Sequence, residues 1–204
     1  NDFPPKVGGI QSYLWELWRR LDPTSFTVLT TPYEGAEAWD AEQPFRVVRT
    51  AERVLLPTSS LARRVDALAA EAGAALVVLD PALPVGLIGP RLSRPYGLVL
   101  HGAEVTVPGR MPGARSLLGR VLRGASEVIA AGGYPAAEGE RAAGRALPVT
   151  VVPPGVDVDR FVPLDAEARA KARALFDLPA EARVVVSVSR LVPPDEGNAA
   201  NPIK

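Results

Sequence analysis

The sequence predicts an α/β protein in which helices cover both faces of a parallel β-sheet. Strand-like and helix-like segments alternate along most of the chain, as in folds where helical crossovers join parallel strands. Strand-like segments such as "AALVVLD" and "YGLVL" are apolar at nearly every position, which is typical of strands buried on both faces. The chain is 47% hydrophobic with a formal net charge of zero, a composition that suits globular domains.

The elements follow from local patterns, taken in chain order. Apolar residues at helical spacing from Ile10 to Leu21 predict a first helix that begins directly after Gly9. A polar loop with prolines separates the next two strands, and a helix in "TSSLARRVDALAAEAG" has capping hydroxyls at its start and Gly73 at its end. The predicted strands are "FTVLTT", "FRVVRT", "AALVVLD", "YGLVLHG", "SEVIAAG" and "VTVVPPG". The further predicted helices are "PVGLIGPRL", "PGARSLLGRVLRGA" and "PAAEGERAAGRAL".

The character of the chain changes beyond its last strand, which predicts a domain boundary. Residues 1–152 form the first α/β domain and the proline-rich stretch 153–164 is a linker. Residues 165–204 open a second domain with the helix "DAEARAKARALFDL" and the strand "ARVVVSVSRL". Too little sequence follows to bury a core, so this second domain is expected to be incomplete in this chain.

The composition excludes several kinds of site. The chain has no cysteine and one histidine, His101, which excludes disulfides, thiolate catalysis, cysteine zinc sites and multi-histidine metal sites. We expect no cofactor and no metal. The zero net charge argues against nucleic acid as a partner. The absence of cysteine fits a cytoplasmic location, and no apolar run is long enough to span a bilayer.

Glycines and polar residues follow the strand-like segments, where they should meet at one edge of the sheet. They are Gly8-Gly9, Asp80-Pro81, His101-Gly102, Gly132-Gly133 and Pro154-Gly155. Ligands of open parallel sheets bind beyond the carboxyl ends of the strands. Gly8-Gly9 also precede a helix whose unpaired N–H groups favour an anion, although a tight loop before a core helix would use the same glycines.

Four segments in this order resemble family 4 retaining glycosyltransferases of the GT-B fold, most of all the PimB-type phosphatidylinositol mannosyltransferases. They are "NDFPPKVGGIQSY", "LHGAEV", "VVPPGVDVDRF" and "VSVSRLVP". The resemblance implies two Rossmann-like domains facing a cleft. Residues 1–152 would form the acceptor-side domain, with the family's first strand expected before Asn1, and residues 165–204 would begin the domain that binds the nucleotide sugar.

The resemblance also implies roles for individual residues. His101 resembles the catalytic histidine that contacts the transferred sugar, while Gly9 and Arg190 resemble residues that hold the donor diphosphate. Transfer with retention then needs stabilisation of charge on the leaving diphosphate, and no dedicated protein base. The residues expected to bind the acceptor are Gly8, Gln11 and Arg63, the last beside a lipid phosphate.

A basic and apolar helix over 112–124 raises the prospect of membrane contact. Its basic residues Arg115, Arg120 and Arg123 alternate with leucines and valine, a pattern that suits an anionic membrane surface and also an ordinary surface helix. Membrane contact would make the protein peripheral at the inner face of the cell membrane.

The sequence thus predicts a glycosyltransferase that moves mannose from GDP-mannose to a lipid acceptor of the phosphatidylinositol mannoside type. Its expected partners are a sugar nucleotide and a lipid or small-molecule acceptor. Two alternatives stay open at this point. One is a family 4 enzyme that uses UDP-GlcNAc or another donor on a soluble acceptor, and the other is a non-catalytic α/β module that binds an anion.

Overall fold

The computed structural model describes residues 2–186, and the chain divides into two compact units, Asn1–Gly155 and Val156–Lys204. The division falls inside the stretch 153–164 that the sequence assigns to a linker. Within the described residues, all of the β-strands belong to the first unit. No helix between residues 2 and 186 has the length and apolar character needed to cross a membrane.

Strands and helices alternate through the first unit, as the sequence predicts. The strands are β1 (Thr27–Thr30), β2 (Arg46–Arg49), β3 (Val77–Leu79), β4 (Tyr96–Leu100), β5 (Glu127–Ala130) and β6 (Val149–Val151). The helices are α1 (Gly9–Trp18), α2 (Ala36–Ala41), α3 (Ser59–Glu71), a 3₁₀ helix (Val85–Arg91), α4 (Ala103–Arg110), α5 (Pro112–Gly124) and α6 (Gly133–Ala143). The Thr58 side chain caps α3 by accepting a hydrogen bond from the Leu61 N–H at 3.1 Å.

Two of these helices are absent from the sequence prediction. Helix α2 lies in the loop between β1 and β2, and at six residues it is too short to show a helical period. Helix α4 contains Pro108 and Gly109, residues that normally signal a break. Both helices begin after a glycine at positive φ, Gly35 (72°) and Gly102 (155°), which an L side chain would strain.

All strand pairs among the described residues are parallel, but the strands form two sheets where the sequence predicts one. Strands β1 and β2 form a two-stranded sheet, and β3 to β6 form a four-stranded sheet in sequence order. Within residues 2–186, no strand pairs with the free edge of β1 or of β3. A largely apolar cleft of about 570 Å³ lies there, lined by residues of both edges, among them Val28, Leu29, Val77 and Leu79.

The four-stranded sheet is covered on both faces, as predicted. In β4, Leu98 and Leu100 point into a cluster formed with α5, α6 and the 3₁₀ helix, while Val99 points into a cluster formed with α1. All five residues of β4 are buried, which explains why "YGLVL" shows no polar alternation.

In the second unit, the described residues contain one helix, α7 (Ala166–Leu175). The Asp165 carboxylate caps it by accepting from the Ala168 N–H at 2.7 Å. The sequence also predicts a strand over 182–191. Residues 182–186 form no regular structure, and 187–191 lie outside the described residues.

Candidate functional site

The candidate site lies at the carboxyl edge of the four-stranded sheet. Asp80 directly follows β3, His101 follows β4 and Val152 follows β6. Because the strands are parallel, these residues leave the sheet at the same edge, where ligands of open α/β sheets bind. Hydrogen bonds and a ring contact join them into one group with Tyr13 of α1.

His101 is held on two sides. On one side its Nε2 lies 2.8 Å from Asp80 Oδ1. On the other side the imidazole and the Tyr13 ring pack edge-to-face, with ring centroids 5.5 Å apart and an interplanar angle of 87°. The Tyr13 hydroxyl in turn donates to the Val152 carbonyl at 2.8 Å. The histidine predicted to be catalytic is therefore fixed between β3 and α1.

Burial and charge act on the two rings of this group. Burial alone would lower the pKa of His101, but the hydrogen bond and charge of Asp80, with the charges of Glu104 and Asp2, outweigh it and raise that pKa above its ordinary value. Burial and the charge of Asp80 raise the pKa of Tyr13. The site thus favours a protonated His101 and a neutral Tyr13.

The start of α4 beside His101 is filled by the protein's own carboxylate. Glu104 accepts hydrogen bonds from the His101 and Gly102 backbone N–H groups, with both of its oxygens 3.0 Å from the Gly102 nitrogen. A carboxylate there satisfies N–H groups that otherwise lack partners. Glu104 is not among the residues predicted for the site, although an acidic residue just after a glycine turn is a known signal of a helix start.

The start of α1 is open by comparison. Gly8 precedes the helix without a side-chain cap, and a Cβ added at Gly9 would meet no atom within 4 Å. The buried Gln11 side chain lies over Gly8, where an added Cβ would clash with Gln11 Oε1. Asp2 accepts from Gln11 Nε2 at 2.8 Å and from Lys6 at 2.7 Å, so the loop before α1 is tied to the helix. This role of Asp2 carries no signal in the sequence.

The structure brings His101, Gly8, Gly9 and Gln11 to one region, because Tyr13 of α1 contacts the His101 ring. It does not join Arg63 to them: this side chain is exposed on α3 and makes no hydrogen bond or ion pair within residues 2–186. Arg190 lies outside the described residues. The roles predicted for these residues stay predictions.

The three arginines predicted to contact a membrane lie on α5, and two of them bond to main-chain carbonyls. Arg115 donates to the Arg141 carbonyl at 3.2 Å and Arg123 to the Ala143 carbonyl at 2.9 Å. Arg120 is exposed and makes no hydrogen bond or ion pair within the described part of the chain. The apolar side of α5 is buried in the core, including Leu118 and Leu122.

Comparisons with known proteins agree with the resemblance that the sequence shows. No family model matches the chain. The chain is 38% identical over 202 residues to the GDP-mannose-dependent α-(1-6)-phosphatidylinositol monomannoside mannosyltransferase of Mycolicibacterium smegmatis, covering 95% of this chain and 52% of that protein. It is 31% identical over 199 residues to the GDP-mannose-dependent monoacylated α-(1-6)-phosphatidylinositol monomannoside mannosyltransferase of Corynebacterium glutamicum, with the same coverage. The chain therefore spans about half the length of the curated relatives it matches.

The fold has a solved counterpart in the crystal structure of Anabaena HepE in complex with UDP. The match has a TM-score of 0.64 and 18% sequence identity, and it covers 86% of this chain and 48% of that one. At this identity the match concerns the fold alone. The predicted resemblance is confirmed: over 95% of its length this chain is similar in sequence to GDP-mannose-dependent phosphatidylinositol monomannoside mannosyltransferases, and its α/β fold matches about half of the HepE chain.

Proposed function

We propose that this chain provides the acceptor-side domain of a retaining mannosyltransferase that moves mannose from GDP-mannose to a phosphatidylinositol mannoside. The names of the relatives that match 95% of the chain support this donor and this class of acceptor. Since the chain spans about half of those relatives, the activity belongs to the whole polypeptide that carries it.

One geometric observation carries the proposal: the open start of α1 and the His101 ring lie in the same region, connected through Tyr13. The uncapped N–H groups of α1 carry the positive end of the helix dipole, which favours a phosphate group. Gly9 leaves room for such a group to approach the backbone. A donor diphosphate at α1 would then place its sugar towards the carboxyl edge of the sheet, within reach of His101.

The chemistry of the transfer suits these groups. Negative charge grows on the diphosphate as the bond to the sugar breaks, so donors already aimed at it stabilise the transition state. In this proposal the α1 N–H groups and the cation Arg190 bind the diphosphate, and His101 binds the sugar. Gly8, Gln11 and Arg63 take the acceptor side, and the leaving phosphate receives the acceptor proton, so the reaction uses no metal.

Replacing Gly9 with valine tests the role of α1. The side chain would fill the open space over the helix start, so we expect mannose transfer to fall about 10²-fold or more, as when a donor to a developing anion is lost. The assay uses GDP-mannose and a phosphatidylinositol monomannoside with the full-length polypeptide. Gly113→Val is the matched control, because Gly113 also lies in the first turn of a helix with open space around it. If Gly9→Val transfers mannose as fast as Gly113→Val and the unaltered protein do, the start of α1 has no role in the mechanism.

A second part of the proposal concerns membrane contact, which an acceptor embedded in lipid would make useful. The exposed apolar residues on and before α5 are Val107 on α4, Met111 between α4 and α5, and Leu117 on α5, each 45% exposed or more. In this proposal these residues and the α5 arginines meet an anionic membrane face, which gives the protein a peripheral position there.

Vesicle co-sedimentation tests this contact. Each arginine near an anionic surface contributes about 1 kcal/mol of attraction. Replacing Arg115, Arg120 and Arg123 with serine should therefore weaken binding to phosphatidylinositol vesicles, and raised salt should release the unaltered protein. Binding that is equal for neutral vesicles, or equal for the triple variant, would show α5 to be an ordinary surface helix.

A further inference from the structure

Asp80 has no part in the proposed transfer, yet its carboxylate bonds directly to the histidine that does. It lies at the end of β3, next to the end of β4 from which His101 projects. Their side chains are 15% and 10% exposed, so water competes little for the hydrogen bond between them.

We propose that Asp80 is a positioning residue for His101: it holds the ring through Nε2 and so presents Nδ1 as the nitrogen that meets a hydrogen-bonding group of the ligand. The proposal rests on the proposed function only in taking His101 as a ligand-binding residue. Its geometry involves no substrate.

The chemistry of the pair determines which nitrogen carries a proton. An ionised carboxylate only accepts hydrogen bonds, so His101 Nε2 must donate to Asp80 Oδ1 across the 2.8 Å contact. The neutral form of His101 then has its proton on Nε2. The Tyr13 ring packs edge-to-face against the imidazole at 5.5 Å and restricts its rotation, so the ring keeps this orientation.

His101 Nδ1 is the free nitrogen of the ring. Within residues 2–186 it makes no hydrogen bond, and no buried side-chain nitrogen or oxygen of the described residues lacks a partner. It follows that Nδ1 is accessible to solvent. A ligand at the carboxyl edge of the sheet would meet this atom.

The surrounding charges favour a proton on Nδ1. The groups that act on the ring are the carboxylates of Asp80, Glu104 and Asp2 and the hydroxyl-bearing ring of Tyr13. Burial opposes the cation, while the three carboxylates together raise the pKa of His101, Asp80 most among them. The raised pKa extends to higher pH the range in which Nδ1 also carries a proton, and in that range the Nδ1–H can donate to a ligand oxygen.

Nuclear magnetic resonance tests the proposal directly, because the 204-residue chain contains a single histidine. The two imidazole ¹⁵N shifts, followed through a pH titration, report which nitrogen carries the proton and where the ring titrates. In the unaltered chain we expect the Nε2–H tautomer above the pKa and a midpoint above the ordinary histidine value.

Two isosteric variants separate the contribution of Asp80 from that of general negative charge. Asp80→Asn keeps an oxygen that can accept from Nε2–H but removes the charge, so we expect the midpoint to fall while the tautomer is retained. Glu104→Gln removes a charge that bonds to backbone N–H groups and leaves the ring contact intact, so its midpoint should fall less.

Two results would overturn the proposal. One is an Nδ1–H tautomer in the unaltered chain, a measurement that needs no variant and no substrate. The other is a titration midpoint that falls no further in a folded Asp80→Asn chain than in Glu104→Gln. Both measurements are made without mannose transfer, so they are independent of the Gly9→Val outcome.

Discussion

The four-stranded and two-stranded regions of the first unit are both parallel α/β layers, but different interactions hold them. In the four-stranded region, Leu98, Val99 and Leu100 have no exposed surface. In the two-stranded region, every residue of β1 and β2 except Thr30 has partly or largely exposed surface. The difference follows from position, since β4 has a strand on each side and β1 and β2 have a strand on one side each.

The two-stranded region compensates with polar and aromatic contacts. Arg49 of β2 forms a bidentate ion pair with Asp40, with Nε and Nη2 each 2.7 Å from a carboxylate oxygen. Phe3 packs edge-to-face against Trp39 and Phe45 at ring distances of 5.7 and 6.5 Å. The loop before α1 thus depends on this region, while His101 depends on the four-stranded one, and the candidate site lies where the two meet.

The largest expected effect comes from the four-stranded core. Leu98→Ala leaves a cavity in a site with no exposed surface, so we expect it to lower the free energy of unfolding by about 3 kcal/mol. Leu29→Ala is the matched control in β1, where the side chain already borders the cleft between the sheets, and we expect a loss of about 1 kcal/mol. Urea unfolding measures both. Equal losses would mean that the two regions are packed alike.

The sequence predicts all six strands of the first unit, in both regions. In β4, full burial leaves the uninterrupted apolar signature "YGLVL". The separation into two sheets could not be predicted. Whether β1 pairs with a strand that follows α3 depends on contacts between distant parts of the chain, and such contacts leave no local sequence pattern. Helix α4 could not be predicted because Pro108 normally signals a helix break. The helix is stabilised instead by the Glu104 cap and by packing against α5, which the local pattern does not show.

The same reasoning applies to the candidate site. The carboxyl-edge rule predicted that Asp80 and His101 would lie at one edge, since each follows an apolar run. The bond between their side chains depends on the register of β3 and β4, which a sequence does not contain. Tyr13 lies within the apolar pattern of the first predicted helix, and it is buried as that spacing implies, but its ring also contacts His101, which no local pattern indicates.

In the two-stranded region, where polar contacts replace burial, we expect a smaller effect. Arg49→Met should lower the free energy of unfolding by about 2 kcal/mol. The Arg49 guanidinium is 13% exposed and also donates to the Thr31 carbonyl at 2.8 Å and the Pro4 carbonyl at 2.7 Å. Arg49→Met keeps the apolar stem but leaves Asp40 and both carbonyls without this partner. Arg46→Met is the control on the same strand, because its ion pair with Glu71 is more than half exposed and contributes at most about 0.5 kcal/mol.

Arg49→Lys sharpens this test by keeping the charge while removing the planar fork. A lysine ammonium cannot bind both carboxylate oxygens and reach both carbonyls at once, so we expect it to recover less than half of the loss. Thermal or urea unfolding of the three variants measures the ranking. If Arg49→Met unfolds as easily as Arg46→Met, the two-stranded region does not depend on this polar network. Its stability would then come from the aromatic contacts around Phe3 alone, and the loop that leads into α1 would be held by packing.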